Sequence, residues 1–275
     1  MLRSSNPIRS KQDAFTPAAP QYGQTQFGRS PYQQYPPDPY GQQQRPVPQA
    51  PEGRMTFDDV VTKTAVTMGL LAITAGLAWL LVPAGLYFPA MVLSGLVGFV
   101  VVMVVSFRRN VSPGLVLAYA AIEGVFIGMI SKVFEGLYPG IVAQAVVATF
   151  FAAGATLAAY KFFNIRVTPK FRKVVFISTI SFAALMLVNF VFSLATGSGG
   201  LRGGITGPVS LLAVGISLIA IVLAVLNLVL DFDYIEKGVA MGAPARESWR
   251  GAFGLTVTMV WLYIEMLRLL SYLRR

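Results

Sequence analysis

Seven apolar stretches of about twenty residues each follow Arg54, at 60–82, 87–107, 113–131, 138–160, 171–196, 208–230 and 251–273. About 20 apolar residues of helix cross the ~30 Å hydrocarbon core of a bilayer. No water satisfies backbone N–H and C=O groups there, so each crossing segment has to bond to itself. Runs this long therefore point to an all-α membrane protein, a seven transmembrane helix bundle. The breaks fall where turn chemistry and charge fall. Pro83-Ala84-Gly85 ends the first span, and Arg108-Arg109-Asn110 with Ser112-Pro113 separates the second from the third. Tyr138-Pro139-Gly140 opens the fourth, and a glycine-rich run, Thr196-Gly197-Ser198-Gly199-Gly200, follows the fifth.

Composition agrees with a bilayer environment and removes whole classes of chemistry. Hydrophobic residues make up 55% of the chain and charged residues 12%, where soluble domains carry about a quarter charged. With no His and no Cys, a Ser–His–Asp triad, a Cys nucleophile, His or Cys zinc sites, haem ligation by His and disulfides are all excluded. A site built from carboxylates alone survives, and calcium prefers such oxygen ligands. The net charge of +10 is read as loop charge facing anionic lipid rather than as a nucleic-acid surface.

Residues 1–54 lack an apolar core and are rich in Gln, Pro, Tyr and Gly, so they do not read as a cleaved signal peptide. They bury too little apolar surface to offset ordering entropy, which predicts a disordered tail ahead of the transmembrane domain at 55–275. "YPPDPY" within the tail is a candidate ligand motif for a membrane-protein partner, against the blander reading of a solvated tail.

Loop charge predicts orientation. The tail carries six basic residues; the second loop carries Arg108 and Arg109; the fourth carries Lys161, Arg166, Lys170, Arg172 and Lys173; the sixth carries Lys237, Arg246 and Arg250. The odd loops carry none, then Lys132, then Arg202. This asymmetry places the N-terminus and the even loops in the cytoplasm. Seven crossings put the C-terminus outside, although Arg274 and Arg275 argue for a seventh helix that is short or does not fully cross.

The carboxylates inside the spans are the functional candidates, because ionisable groups at membrane depth are expensive. Glu265 lies in the last span and Asp231 closes the sixth. Gly251, Gly254, Thr258, Trp261, Glu265 and Arg268 share one face by steps of three and four, as do Ala220, Ala224, Asn227 and Asp231. Two small-to-polar faces, each with one acid, predict two helices that meet around a polar core. Gly124 and Gly128, one turn apart on the third span, predict tight packing. The blander readings are a local pair of Glu265 with Arg268 and a solvated helix end at Asp231 and Asp233, where Asp233 and Lys237 have the spacing of an exposed pair. Glu123 in the third span is expected to point inward, with Asn189 available as a hydrogen-bond partner to these acids.

"DFDYIEKG" at 231–238, followed roughly thirty residues on by "WLYIEMLRLLSYL", resembles the C-terminal signature of the Bax inhibitor-1 (transmembrane BAX inhibitor motif) family. "AYAAIEGVFIGMIS" at 118–131 is similar to the family's third-span segment in the style of its bacterial members. The resemblance runs over 56–273. It implies a bundle with the last helix central and a pH-sensitive calcium leak, with a plasma-membrane location for a bacterial-type member. Eukaryotic members protect against cell death, which implies a stress-response role. The family's paired acids fall on Asp231 and Glu265; the second is usually aspartate, so Glu265 is a departure that reaches one methylene further. The family's latching arginine corresponds to Arg108, Arg109 or Arg268.

These readings lead to a proton-gated cation leak. Two carboxylates within hydrogen-bond reach do not both ionise cheaply, so Asp231 and Glu265 are expected to share a proton and respond to pH. Deprotonated, they attract calcium as a tentative metal site. Glu123, Asp233, Arg268 and Asn227 are supporting candidates, and no organic cofactor is expected. The main alternative is a membrane scaffold that regulates proteolysis or stress responses, with the acids as helix glue. An intramembrane aspartyl protease would need the two acids to face each other across a water. A retinal protein fails, because 251–273 holds no lysine for a Schiff base.

Overall fold

The computed structural model describes residues 53–275 except 109, 198, 205 and 207, so the tail expected at 1–54 lies almost wholly outside the described residues. Seven helices follow: α1 (Phe57–Leu81), α2 (Tyr87–Phe107), α3 (Pro113–Leu137), α4 (Ile141–Phe162), α5 (Pro169–Thr196), α6 (Leu211–Ala240) and α7 (Glu247–Leu273). All seven are long and apolar enough to cross a membrane, and each coincides with one expected span.

Local chemistry sets their ends. Thr56, Thr168 and Ser210 accept hydrogen bonds from Asp59, Phe171 and Ala213 backbone N–H groups, satisfying donors that a helix start leaves free. Proline occupies the first turn of α3 and α5, where it removes no needed donor. Gly197 ends α5 in the left-handed region at φ 65°.

The sixth helix departs from its expected bounds of 208–230 and runs ten residues further, to Ala240. Asp231 and Asp233 therefore sit within a helix, not on a solvated end. The extension is held because Ile235 is buried with Met55 and Val60, and Gly238 lies against Met55. Likewise α3 continues past Ser131 to Leu137, burying Phe134.

The last helix is central. α7 packs on α1, α3, α4 and α6, and Leu262 and Leu267 on it are fully buried. At one end Arg250 donates to the Arg108 carbonyl, and Lys63 of α1 reaches the Ala245 carbonyl. At the other, Arg274 donates to the carbonyls of Tyr138 and Pro139. The two ends of α7 thus meet even loops and odd loops respectively, so it runs the full length of the bundle. α5 is peripheral, with Val175 its one buried residue among those described.

Glycine lets α1 and α3 touch. A Cβ on Gly124 would strike Thr74 Oγ1 and stand 2.5 Å from the Leu71 carbonyl oxygen; one on Gly128 would strike the Ala75 carbonyl oxygen. These obstacles are backbone or fixed side chain, so they do not yield. Gly128→Leu is expected to destabilise the bundle by about 1–3 kcal/mol or prevent its folding, as overpacking does. Gly136→Ala, with open space around its Cβ, should be neutral or slightly stabilising. Thermal unfolding in detergent distinguishes the two.

Candidate functional site

The two acids singled out from the sequence lie on one face of α7's surroundings but do not meet. Asp231 Oδ2 accepts a hydrogen bond of 2.7 Å from Thr258. Glu265 Oε1 forms a 2.8 Å ion pair with Arg202, and its Oε2 has no hydrogen-bond partner among the described residues. Thr258 and Glu265 are seven residues apart, about 10 Å along the axis. The expected shared-proton dyad is therefore replaced by two separate stations, because the helix rise holds the acids at different depths.

The first station is built by small residues. A Cβ on Gly254 would stand 2.8 Å from Asp231 Oδ1, so only glycine lets α7 approach the carboxylate this closely. Asp231 and Thr258 line a cavity of about 330 Å³ among α2, α6 and α7, with Arg250 and Tyr234 also on its wall. The expected stripe on α6 divides here. Ala220 and Ala224 are buried in the bundle, Asp231 faces α7, and Asn227 donates instead to Thr179 of α5 at 2.8 Å.

The second station is carried by the loop after α5. Gly199 and Gly200 adopt φ of 71° and 64°, a region that favours glycine. A Cβ on Gly200 would strike Asn189 Oδ1, which accepts instead from the Leu201 N–H at 2.6 Å. Asn189 thus holds the loop and not an acid. This fold turns Arg202 inward: the residue is 6% exposed and Glu265 2%, so their pair is a buried one. The guanidinium lies over Phe182 at 5.5 Å, and Phe182 stacks on Trp261 at 5.9 Å. Tyr272 donates to the Arg202 carbonyl. Burial pushes the Arg202 pKa down from its ordinary value, and the Glu265 charge opposes that shift.

The arginine that pairs with Glu265 is thus Arg202, which reads in the sequence only as loop charge, and not Arg108, Arg109 or Arg268. Arg108 lies at the far end of the bundle and Arg109 outside the described residues. Arg268 acts on Arg202 through its charge, but the ion pair that Glu265 forms is with Arg202, and Arg268 Nε has no hydrogen-bond partner among the described residues. The signal available was a lone arginine flanked by glycines in a loop poor in charge.

Glu123 points inward as expected. It is buried on α3 against Gly98 of α2, where a Cβ would stand 2.5 Å from its Oε2. Asp233 does pair with Lys237, but the pair is not the exposed one its spacing implied. Asp233 is buried, and Arg172 of α5 joins it at 2.8 Å. Among the described residues no group of three or more carboxylates is placed to hold a metal ion, and the tentative calcium ligands Asp231 and Glu265 are not brought together.

Removing one partner of a buried ion pair strands the other. Arg202→Met or Glu265→Leu alone is expected to cost about 3–5 kcal/mol, and the double substitution much less than the sum. A double-mutant cycle on thermal stability measures this coupling.

A family model described as Bax inhibitor 1 like matches residues 6–275 of the chain. No curated protein matches it.

Proposed function

Because the chain belongs to the Bax inhibitor 1 like family and is a multi-pass membrane protein, we propose that it is a cation leak, passing calcium, whose opening is set by protonation at Glu265 and Asp231. One observation carries this reading. A buried carboxylate on the central helix is held by an arginine that arrives on a glycine-rich loop, and a second carboxylate lines a cavity nearer the opposite end.

The path follows the face of α7 from Asp231 and Thr258 past Trp261 to Glu265. In the arrangement described, Trp261 stacked on Phe182 and the Arg202–Glu265 pair obstruct it. The sign of gating follows from charge. A neutral Glu265 no longer supplies the counter-charge that holds Arg202 inside the bundle, so loss of that charge releases the loop. Deprotonation restores the pair and closes the path. Two packings of one loop, biased by a proton, supply the bistable element a gate needs.

Asp231 and Thr258 offer calcium three side-chain oxygens, fewer than the roughly six to eight ligands of a held ion. That suits passage over storage, and no catalysis is proposed. The basic even-loop end faces the cytoplasm in this reading, which puts the Asp231 station on the inner side and the Arg202 latch on the outer side of a plasma membrane. The rival is a scaffold whose acids only join helices.

Calcium flux into liposomes, stepped from about pH 8 to about pH 6, tests the proposal. Wild type should leak more at the lower pH. Glu265→Gln should leak at the higher pH as wild type does at the lower. Asp231→Asn should weaken the pH response. A pH response that survives in the double variant Asp231→Asn/Glu265→Gln rules out these acids as the gate. Folded, inserted protein that carries no flux favours the scaffold.

A further inference from the structure

The backbones of α1 and α4 do not approach each other closely, and the gap between them is a groove of about 320 Å³. Its floor is formed by α3 and α7, including Ser131 and Tyr263; its walls include Gly76 and Trp79 on α1 and Val146 and Phe150 on α4. The hydroxyls on the lining are already satisfied. The Ser131 and Tyr263 hydroxyls bond each other at 2.7 Å, and Thr149 donates to the Ala145 carbonyl. What remains for an occupant is dispersion contact with hydrocarbon. Both flanks continue into exposed apolar side chains, Ile73 on one side and Val147 and Phe151 on the other, so the groove opens sideways into the bilayer.

One end of the groove is marked by charge and aromatic rings. Lys132 donates to the Trp79 carbonyl oxygen and lies 4.7 Å from the centre of the Tyr87 ring. Arg274 sits at the start of α4, on the carbonyls of Tyr138 and Pro139. The acid at this end, Glu135, is engaged by the backbone N–H groups of Gly140 and Val142. Tryptophan and tyrosine collect at headgroup level, and cations there attract anionic lipid.

We propose that this groove is a lipid-binding site, seating one acyl chain of an anionic phospholipid with its headgroup phosphate at the Lys132 end. Free hydrocarbon offers no hydrophobic advantage over surrounding lipid. Selectivity over the annulus therefore comes from the shape of the groove and from charge at its mouth.

The test uses the full chain in nanodiscs of mixed phosphatidylglycerol and phosphatidylcholine. Each lipid in turn is supplied in trace with a photoreactive group on its acyl chain, and cross-links are mapped by mass spectrometry. Labels should concentrate on residues 68–79 and 142–150, with the phosphatidylglycerol probe labelling more strongly. A Cβ on Gly76 meets nothing within 4 Å, so Gly76→Trp should fill the groove and abolish this labelling. Gly76→Leu is the smaller alternative if the tryptophan variant does not fold. Gly215→Trp on α6, which also has open space at its Cβ, should leave the labelling intact. Lys132→Gln should remove the preference for phosphatidylglycerol while retaining labels in the groove. Even labelling of all helices, unchanged by Gly76→Trp, would mean annular lipid only and overturn the site. Equal labelling by both probes in wild type would overturn the role of the phosphate.

Discussion

A carboxylate inside hydrocarbon has to be given a cation, a hydroxyl or water, because lipid offers none of these. α7 carries Glu265 as one of the most buried acids of the bundle, and much of the architecture answers that requirement. The helix is wrapped by four others. A loop with several left-handed glycines delivers Arg202 to the carboxylate. Asn189, Tyr272 and Phe182 hold that loop in place through a side-chain oxygen, a hydroxyl and a ring face. Asp231 receives Thr258 and a cavity; Asp233 receives Arg172 and Lys237.

Small residues make these arrangements geometrically possible. In lipid, helices associate through close packing and not through burial from water. Gly124 and Gly128 bring α3 onto the backbone of α1, while Gly254 and Gly251 bring α7 onto α6 at Asp231 and Ile235. The same device has two uses. Between α1 and α3 it joins apolar surfaces; between α6 and α7 it leaves room for a carboxylate and its hydroxyl partner.

The buried pair also bears on stability. A buried ion pair contributes little net stability, since desolvation offsets attraction, yet losing one member is costly. Such a pair fixes the position of the loop that carries Arg202. The Arg268 charge opposes that of Arg202, so removing Glu265 leaves two cations without this counter-charge.

The sequence by itself determined the seven spans, the order of the turns and the faces on which Asp231 and Glu265 lie. Apolar length, proline, glycine and the 3.6-residue period act locally, and the largest departures from the expected bounds are the extended ends of α3 and α6. It also carried the family, through the runs around Asp231 and Glu265 and at 118–131. Which groups meet was decided by the tertiary structure alone. Glu265 and Arg202 are 63 residues apart in the chain, joined by a loop conformation that residue type permits but does not specify. Asn227 and Asp231 share a stripe on one helix yet face different neighbours, because a helix face about 100° wide touches two partners once α5 and α7 are docked. Partner choice across a bundle depends on the rotation and depth of each helix, and those are set only when all seven pack together.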